Sequence, residues 1–302
     1  MTYFIVNPAS GNGKAAAAVP IIEKAARDNG KAYTFIHTEK SGDTDRVAGL
    51  IDMDAAAAII CVGGDGTAQE YAGLAVGRKI RFGVVPAGSA NDMLLSVPVP
   101  GGSGGVKKFR SFDERIAYYA DRAFIGETVD IDAVSVNGRH YFMNIGGTGV
   151  DIQVLKDAQP IKKYFGGAAY FISLIKNAVT YSASEMTLTV DGKAETDRYL
   201  IIAVCNGGYY GGNLRIAPPA VINDGSITLC KITKMARPKV AAIFPSVKPG
   251  WHTGFKEVSF VNCLRVKVEF EGKKTINLDG NLSDYDSPVT FEIMKSAVKF
   301  IV

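Results

Sequence analysis

The chain has 302 residues, of which 47% are hydrophobic and 21% are charged, as expected of a globular protein with a substantial core. Its net charge of +4 and the lack of a long basic run argue against nucleic acid as a partner, but allow weak attraction to an anionic surface. Four cysteines without a C-x-x-C pair and three scattered histidines argue against a zinc site or a disulfide framework.

Strand and helix patterns alternate in the first third of the chain. Short apolar runs predict strands at 2–6, 32–38, 57–62 and 80–86, and the segments between them predict helices at 15–30, 41–51 and 68–76. Apolar strands separated by helices are typical of a parallel sheet that is covered on both faces. We therefore predict a doubly wound parallel α/β domain over residues 1–125.

The stretch VPVPGGSGG at 97–105 interrupts this alternation, and from residue 118 onward most segments look like strands. They begin with YYADRAF (118–124) and are separated by Asn-Gly and Asp-Gly turns. Helix-like segments lie at 161–181 and 238–247. Successive antiparallel strands predict a β-sandwich substrate domain over 126–289, with the tail 290–302 returning to the first domain.

Glycine-rich loops follow three predicted strands of the first domain. They read NPASGNGKA (7–15), GGDGT (63–67) and PAGSAND (86–92). In an open parallel sheet, the loops that follow the strands gather at one edge, where ligands bind. Because glycines let backbone N–H groups approach a phosphate, the three loops together predict a phosphate-binding site.

Asp65, in the middle of GGDGT, allows two interpretations. A carboxylate beside a phosphate is unfavourable unless a cation lies between them, and Mg²⁺ binds carboxylate and phosphate oxygens together. Alternatively, Asp65 only caps the helix that begins near Thr67. Asn91 and Asp92 in PAGSAND allow the same two interpretations.

Two further motif matches are weaker. GNGKAA (11–16) fits a GxGxxA dinucleotide fingerprint, with Glu39 as the acid after the second strand, but the loop is longer than usual and the spacing to Glu39 is irregular. GGSGG (101–105) fits the GxSxG pattern of a serine nucleophile. Since it does not follow a buried strand, we interpret it as a linker.

Taken together, the loops resemble those of the catalytic domain of diacylglycerol kinases and related bacterial lipid kinases, with sphingosine kinases and NAD kinases as more distant relatives. The resemblance runs almost from end to end, through the three loops, the segment 128–154 and NLDG at 277–280. It implies that an α/β nucleotide domain faces a β-rich lipid domain across a cleft. It also implies transfer of phosphate from ATP, with Mg²⁺, to the hydroxyl of diacylglycerol or a similar lipid alcohol.

The resemblance implies roles for individual residues. Asp65, Asp92 and Asp130 correspond to the aspartates of the family's Mg²⁺ network, and Asp224 to a ligand of a second, structural Mg²⁺. The residues expected along the nucleotide phosphates are Asn7, Ser10, Gly63, Gly64, Gly66, Thr67, Gly88, Ser89 and Asn91. Asp279 would be the general base that takes the proton of the lipid hydroxyl. Without the resemblance, its Asp-Gly pair indicates only a hairpin turn.

One departure from the family concerns Asn281, which stands where related kinases carry a glutamate after the Asp-Gly pair. An amide can form hydrogen bonds but supplies no charge. Two alternatives therefore stay open. The protein is either an active kinase with an altered rate or substrate, or a non-catalytic module that binds nucleotide or lipid. An NAD kinase-like phosphotransferase is a further alternative.

Two apolar segments bear on the lipid. The aromatic-rich stretch 164–181 and the stretch 243–255, which holds the only tryptophan, are expected either to pack in the core or to form an acyl-chain pocket or membrane-docking rim. We predict no signal peptide and no membrane span, and so expect a cytoplasmic protein that associates peripherally with a membrane, where its lipid substrate lies. The oligomeric state is open, a homodimer included.

Overall fold

A computed structural model describes residues 1–88, 91–98, 108–150, 152–154, 156–157, 173, 176–177 and 182–302. The chain forms two compact units, Met1–Ala133 with Ser296–Val302, and Val134–Lys295. This division lies inside a strand, whereas the boundary predicted after residue 125 coincides with the end of a helix. The proposed linker at 101–105 and nearly all of the predicted helix at 161–181 lie outside the described residues.

Helices and strands alternate in the first unit. The strands are β1 (Thr2–Val6), β2 (Tyr33–His37), β3 (Ala58–Gly63) and β4 (Arg81–Pro86). The helices are α1 (Lys14–Asp28), α2 (Thr44–Gly49), α3 (Asp65–Ala72) and α4 (Phe112–Ile125), with a short 3-10 helix at Asp92–Leu95. The strands pair in parallel in the order β2-β1-β3-β4, which confirms the predicted parallel sheet.

Both faces of this sheet are buried. Phe4 and Ile60 pack on one face against α1 and α4, while Ile5 and Cys61, which point the opposite way, are also inaccessible to water. Alternation of two buried faces explains why the strands read as continuous apolar runs in the sequence. The end of the chain's last strand, β15 (Val289–Ile301), pairs in parallel with β4 and adds a fifth strand to this sheet.

Helix α4 overturns the prediction of a strand at 118–124. Ser111 caps this helix by accepting a hydrogen bond from the Glu114 N–H at 3.1 Å. Ile116, Ala120 and Ala123 are buried at helical spacing. Two adjacent tyrosines favour a strand locally, but the helical period and its cap begin several residues earlier and decide the structure.

Antiparallel pairing organises the second unit. Strand β5 (Thr128–Val136) begins in the first unit and ends in the second. The strands that follow are β6 (His140–Phe142), β7 (Ile145–Gly149), β8 (Ser184–Val190), β9 (Lys193–Cys205), β10 (Ile227–Thr233), β11 (Val258–Cys263), β12 (Arg265–Glu269), β13 (Lys273–Leu278) and β14 (Asn281–Asp286). The main order is β14-β13-β7-β9-β8-β12-β15, and β9 also pairs with β10, which pairs with β11. Helix α5 (Arg237–Val247), predicted at 238–247, and a 3-10 helix at Trp251–Gly254 connect β10 to β11.

Side chains of β9 divide between two hydrophobic clusters. Ile202 and Val204 belong to a cluster formed mainly by strands, while Ala203 and Cys205 belong to one that also contains residues of α5. This arrangement confirms the predicted β-rich unit. Within the described ranges, no helix is long and apolar enough to cross a membrane.

Candidate functional site

The three glycine-rich loops of the first unit lie against one another where β1, β3 and β4 end. A methyl group at Gly88 would lie 2.3 Å from the Cα of Gly64. A methyl group at Gly11 would lie 2.0 Å from the carbonyl oxygen of Ala87. Only glycine permits such close backbone contacts, so these positions let the loops converge at one edge of the sheet.

Asn7 and Thr67 link the first two loops. Asn7 Nδ2 donates a hydrogen bond to Thr67 Oγ1 at 3.1 Å, and the Asn7 backbone N–H donates to the carbonyl oxygen of Val62 at 3.1 Å. Thr67 is buried in the first turn of α3, which also contains Gly66. Ser10 reaches the same place, because its Oγ lies 3.8 Å from a methyl group built on Gly64. These polar side chains therefore border the contact between Gly64 and Gly88.

Asn91 places a buried oxygen at this contact. Its Nδ2 donates to the carbonyl oxygen of Gly88 at 3.2 Å, which leaves Oδ1 pointing the other way. Oδ1 is inaccessible to water and has no hydrogen-bond partner in the part of the chain that the structure describes. It lies 3.0 Å from a methyl group built on Gly88. A buried amide oxygen without a donor is rare and suits a cation or an ordered water.

Asp65 joins the second loop to the third. Its carboxylate accepts hydrogen bonds from the backbone N–H groups of Asp92 at 3.0 Å and Met93 at 3.1 Å, at the start of the 3-10 helix. Asp65 is the first residue of α3, and the preceding N-cap, Gly64, has no side-chain cap. The interpretation of Asp65 as a cap of its own helix is therefore wrong, because its carboxylate is turned to the next loop.

The environment of Asp65 penalises its negative charge. Burial raises the pKa of Asp65 above its usual range, although the N–H groups of Met93 and Asp92 favour the charged form. Asp92, whose backbone contacts that carboxylate, is only 4% exposed. A cation beside the buried Asp65 carboxylate would favour its charged form, so this environment fits one.

A Mg²⁺ site does not require a complete shell of protein ligands. Among the described residues, no group of three or more His, Cys, Asp or Glu side chains is placed to hold a metal. Mg²⁺ usually takes one or two carboxylates from a protein and completes its shell with waters and substrate phosphates. Asp65, Asp92 and Asn91 Oδ1 are the residues of these loops that could contribute to so small a set.

Three other predicted residues lie elsewhere or are not described. Asp130, on β5, forms an exposed ion pair with Lys299 at 3.2 Å. Asp224, in the second unit, is exposed and accepts hydrogen bonds from the backbone N–H and the hydroxyl of Ser226, both at 2.8 Å, which close a turn. Their roles as Mg²⁺ ligands stay predictions. Ser89 lies outside the described residues.

Asp279 lies in a tight turn of the second unit. Leu278 pairs with Asn281 across the hairpin of β13 and β14, so that Asp279 and Gly280 form the two-residue connection. Their φ angles of 48° and 98° are the left-handed values that a type I′ turn needs. The turn indicated by the Asp-Gly pair is therefore confirmed, and this turn fixes the direction of the Asp279 side chain.

The carboxylate of Asp279 accepts hydrogen bonds from the backbone of residues 143–145, to which the sequence assigned no role of their own. The N–H groups of Met143, Asn144 and Ile145 donate to it at 2.9, 3.1 and 2.6 Å. Asp279 is only 8% exposed. The one signal for this segment was Asn144, inside the stretch 128–154 that resembles the lipid kinases. To act as a base, Asp279 must offer one oxygen to a hydroxyl while these donors hold the rest of the group.

Both parts of the chain match known protein families. Residues 1–117 match the family described as "Diacylglycerol kinase catalytic domain". Residues 145–302 match the family described as "YegS C-terminal NAD kinase beta sandwich-like domain". The first match contains the three glycine-rich loops, and the second contains Asp279.

Individual relatives cover most of the chain. A "Probable lipid kinase YegS-like" from Yersinia enterocolitica is 28% identical over 262 residues, which are 85% of this chain and 83% of that protein. A diacylglycerol kinase from Bacillus subtilis is 26% identical over 279 residues, 91% of this chain and 88% of that protein. The crystal structure of a diacylglycerol kinase from Bacillus anthracis shares the fold, with a TM-score of 0.77 at 22% identity over 99% of this chain and 96% of that one. The chain therefore belongs to the diacylglycerol kinase family of lipid kinases, with a YegS-type C-terminal domain.

Proposed function

We propose that this protein transfers the terminal phosphate of ATP, with Mg²⁺, to the hydroxyl of diacylglycerol or a similar lipid alcohol. The observation that carries the proposal is the contact between Gly64 and Gly88, with Asn91 Oδ1 and Asp65 beside it. Backbone without side chains suits a chain of phosphates, and oxygens next to it suit the cation that accompanies them. Membership of a lipid kinase family supports a lipid as the acceptor.

The roles follow from this assignment. The phosphates would lie along Asn7, Ser10 and the glycines of the second and third loops. Asp65 and Asp92 would hold Mg²⁺, which when bound neutralises charge on the β- and γ-phosphate oxygens. The lipid oxygen bonds to the γ-phosphorus while the bond from that phosphorus to the bridging oxygen breaks, and ADP leaves. We assign the hydroxyl proton to Asp279 as general base.

A panel of acceptors with labelled ATP tests the proposal. We expect labelled phosphatidic acid from diacylglycerol in mixed micelles with Mg²⁺, and none after chelation of the metal. The same panel contains monoacylglycerol, sphingosine and NAD, and the products are resolved by chromatography. Transfer to NAD alone would instead indicate an NAD kinase-like enzyme. No transfer to any acceptor would indicate a non-catalytic binding module.

Asn281 provides a companion variant for that panel. It opens β14 directly after the turn that carries Asp279. A carboxylate there adds the charge that related kinases have at this position. We expect the wild type to be active already, and Asn281→Glu to change only its initial rate of lipid phosphorylation. A gain of transfer from none would favour the non-catalytic alternative for the natural sequence.

Asp65→Asn is expected to abolish Mg²⁺-dependent binding of ATP while the protein stays folded. The amide keeps an acceptor oxygen for only one of the two N–H groups, because Asp92 N–H donates to Oδ2 and Met93 N–H to Oδ1, and it lacks the negative charge that attracts the cation. Isothermal titration with MgATP measures the loss. Asp54→Asn, at an exposed position of the same unit, is the matched control and should bind like the wild type. Wild-type affinity in Asp65→Asn would refute the assignment.

The raised pKa of Asp65 adds a pH dependence to the same comparison. Because the pKa is higher in the folded than in the unfolded protein, the ionised group lowers stability at neutral pH. This loss of stability is recovered as the pH falls through the raised pKa of Asp65 in the folded protein toward its pKa in the unfolded protein. Relative to Asp65→Asn, the wild type should therefore gain unfolding free energy as the solution is made mildly acidic. Urea unfolding of both proteins along a pH series measures this difference.

A further inference from the structure

The connection between β10 and β11 concentrates positive charge. Residues 231–257, the end of β10 and the whole connection, contain six Lys and Arg and one acidic residue, Glu257, in a chain whose net charge is only +4. Lys231 pairs with Glu195, and Lys239 pairs with Glu257. The exposed basic residues of this connection that form no ion pair with any described residue are Lys234, Arg237, Lys248 and Lys256.

The only tryptophan of the chain lies in the same connection and faces water. Trp251 is 75% exposed, more than any other large hydrophobic side chain in the described ranges. It opens the 3-10 helix Trp251–Gly254. An indole combines a large apolar area with an N–H donor, and at 75% exposure most of that apolar area is in contact with water.

A buried histidine fixes the helix that carries Trp251. His252 is fully buried, its Nε2 lies 2.9 Å from the carbonyl oxygen of Ile216, and its ring packs at 71° to that of Phe260. Burial lowers the pKa of His252, so the ring is neutral at neutral pH. Because the neighbouring side chain is anchored inward, Trp251 is held outward on an ordered backbone.

Basic side chains lie next to Trp251 in the fold. Lys248 and Lys256 flank the 3-10 helix in the chain, and both are exposed. Arg215 lies beside it, because its Cδ is 3.5 Å from a methyl group built on Gly250. We name Arg215, Lys248, Trp251 and Lys256 the Trp251 surface.

We propose that the Trp251 surface docks this protein on a bilayer that contains anionic lipids. Indole rings favour the headgroup level of a membrane, where the ring is apolar on one side and hydrated on the other. Lys and Arg at the same level are attracted by anionic headgroups. All three charged side chains of the Trp251 surface are basic, and this complements an anionic lipid surface better than the apolar core of a protein interface. The inference rests on the proposed function, since a lipid substrate is reached from the surface of a bilayer.

The tryptophan itself is the probe for the test, because the chain contains only one. The whole protein, without ATP, is mixed with vesicles of phosphatidylcholine alone or with added phosphatidylglycerol. We expect the emission to shift to the blue and iodide quenching to fall with the anionic vesicles only. Because exposed charges are screened, raising the salt concentration should reverse both changes.

Variants locate the docking surface. The double variant Lys248→Glu with Lys256→Glu is expected to lower the partition coefficient onto anionic vesicles roughly tenfold or more, as measured by cosedimentation. Each basic side chain near such a surface contributes about a fivefold factor to that coefficient. Trp251→Ala should also lose binding. The matched control is Lys31→Glu with Lys79→Glu, which makes the same charge change at exposed positions of the first unit and should bind within about twofold of the wild type. Thermal melting of each variant establishes that it is folded.

Two results would overturn the docking surface. One is an emission spectrum of Trp251 that does not change when anionic vesicles are added. The other is a loss of binding in the Lys31/Lys79 control as large as that in the Lys248/Lys256 variant. A blue shift that depends on protein concentration without vesicles would assign the surface to a second copy of the chain. Transfer to lipid in mixed micelles is measured separately. A wild-type protein that transfers no phosphate but still binds vesicles through Trp251 would refute only the proposed function. A wild-type protein that transfers phosphate but does not bind vesicles would refute only the docking surface.

Discussion

Replacing Asp279 with asparagine should leave a folded protein whose phosphate transfer to lipid is roughly 10²- to 10⁴-fold slower, the usual contribution of a general base. Asparagine keeps one acceptor oxygen, which two of the three N–H groups of residues 143–145 can share, but it cannot take the proton of a hydroxyl. Initial rates in mixed micelles measure the effect, and circular dichroism establishes the fold.

Asp286→Asn is the matched control for that experiment. Asp286 ends the same hairpin, and its side chain is 78% exposed beside Lys273. We expect its rate to equal that of the wild type. A folded Asp279→Asn protein with near wild-type transfer would exclude the base assignment and leave Asp279 as a structural acceptor only.

Asp279→Ala separates the structural contribution from the catalytic one. Alanine leaves three buried N–H groups without their acceptor, and each such group costs about 1–3 kcal/mol. The unfolding free energy should therefore fall by roughly 3 kcal/mol or more relative to the wild type, and by less in the asparagine variant. An Asp279→Ala protein as stable in urea as the wild type would show that the carboxylate does not hold the segment 143–145.

Gly88→Ala should lower both the stability of the first unit and its affinity for MgATP. The new methyl group would lie 2.3 Å from Gly64 Cα and 2.9 Å from Gly64 N, so the second and third loops must move apart. Overpacking of this kind costs about 1–3 kcal/mol, and displaced loops no longer present their N–H groups together. We expect at least a tenfold loss of MgATP affinity by isothermal titration, on the order of 1.4 kcal/mol.

Two other glycines calibrate this prediction. A methyl group at Gly64 would lie 3.1 Å from Gly88 Cα, so Gly64→Ala should have a smaller effect of the same kind. Gly49, in α2, has nothing within 4 Å of such a methyl group. Because alanine favours a helix, Gly49→Ala should be neutral or stabilise by up to about 1 kcal/mol. Wild-type affinity in Gly88→Ala would show that nucleotide does not bind at this contact.

Local patterns were sufficient to predict the parallel strands of the first unit. Buried strands such as β1 and β3 read as short apolar runs bounded by glycine or proline, and that signal needs no knowledge of distant residues. Turn chemistry is equally local, and the Asp279-Gly280 pair indicated its hairpin correctly. The strand predicted at 118–124 was wrong because the deciding signal lies outside that segment. The N-cap at Ser111, which starts α4, precedes it by seven residues or more.

The ordered series of motifs was sufficient to predict the family, because it records the same residues at the same places along most of the chain. What each carboxylate contacts was decided only by the tertiary structure. Asp65 accepts hydrogen bonds from residues 27 and 28 positions away, and Asp279 from residues more than 130 positions away. Such contacts depend on how strands pair and loops converge, and no local propensity encodes them. The sequence thus identified Asp65 and Asp279 as candidate site residues. Only the fold determined that each carboxylate is held by backbone N–H groups of a segment distant in the chain.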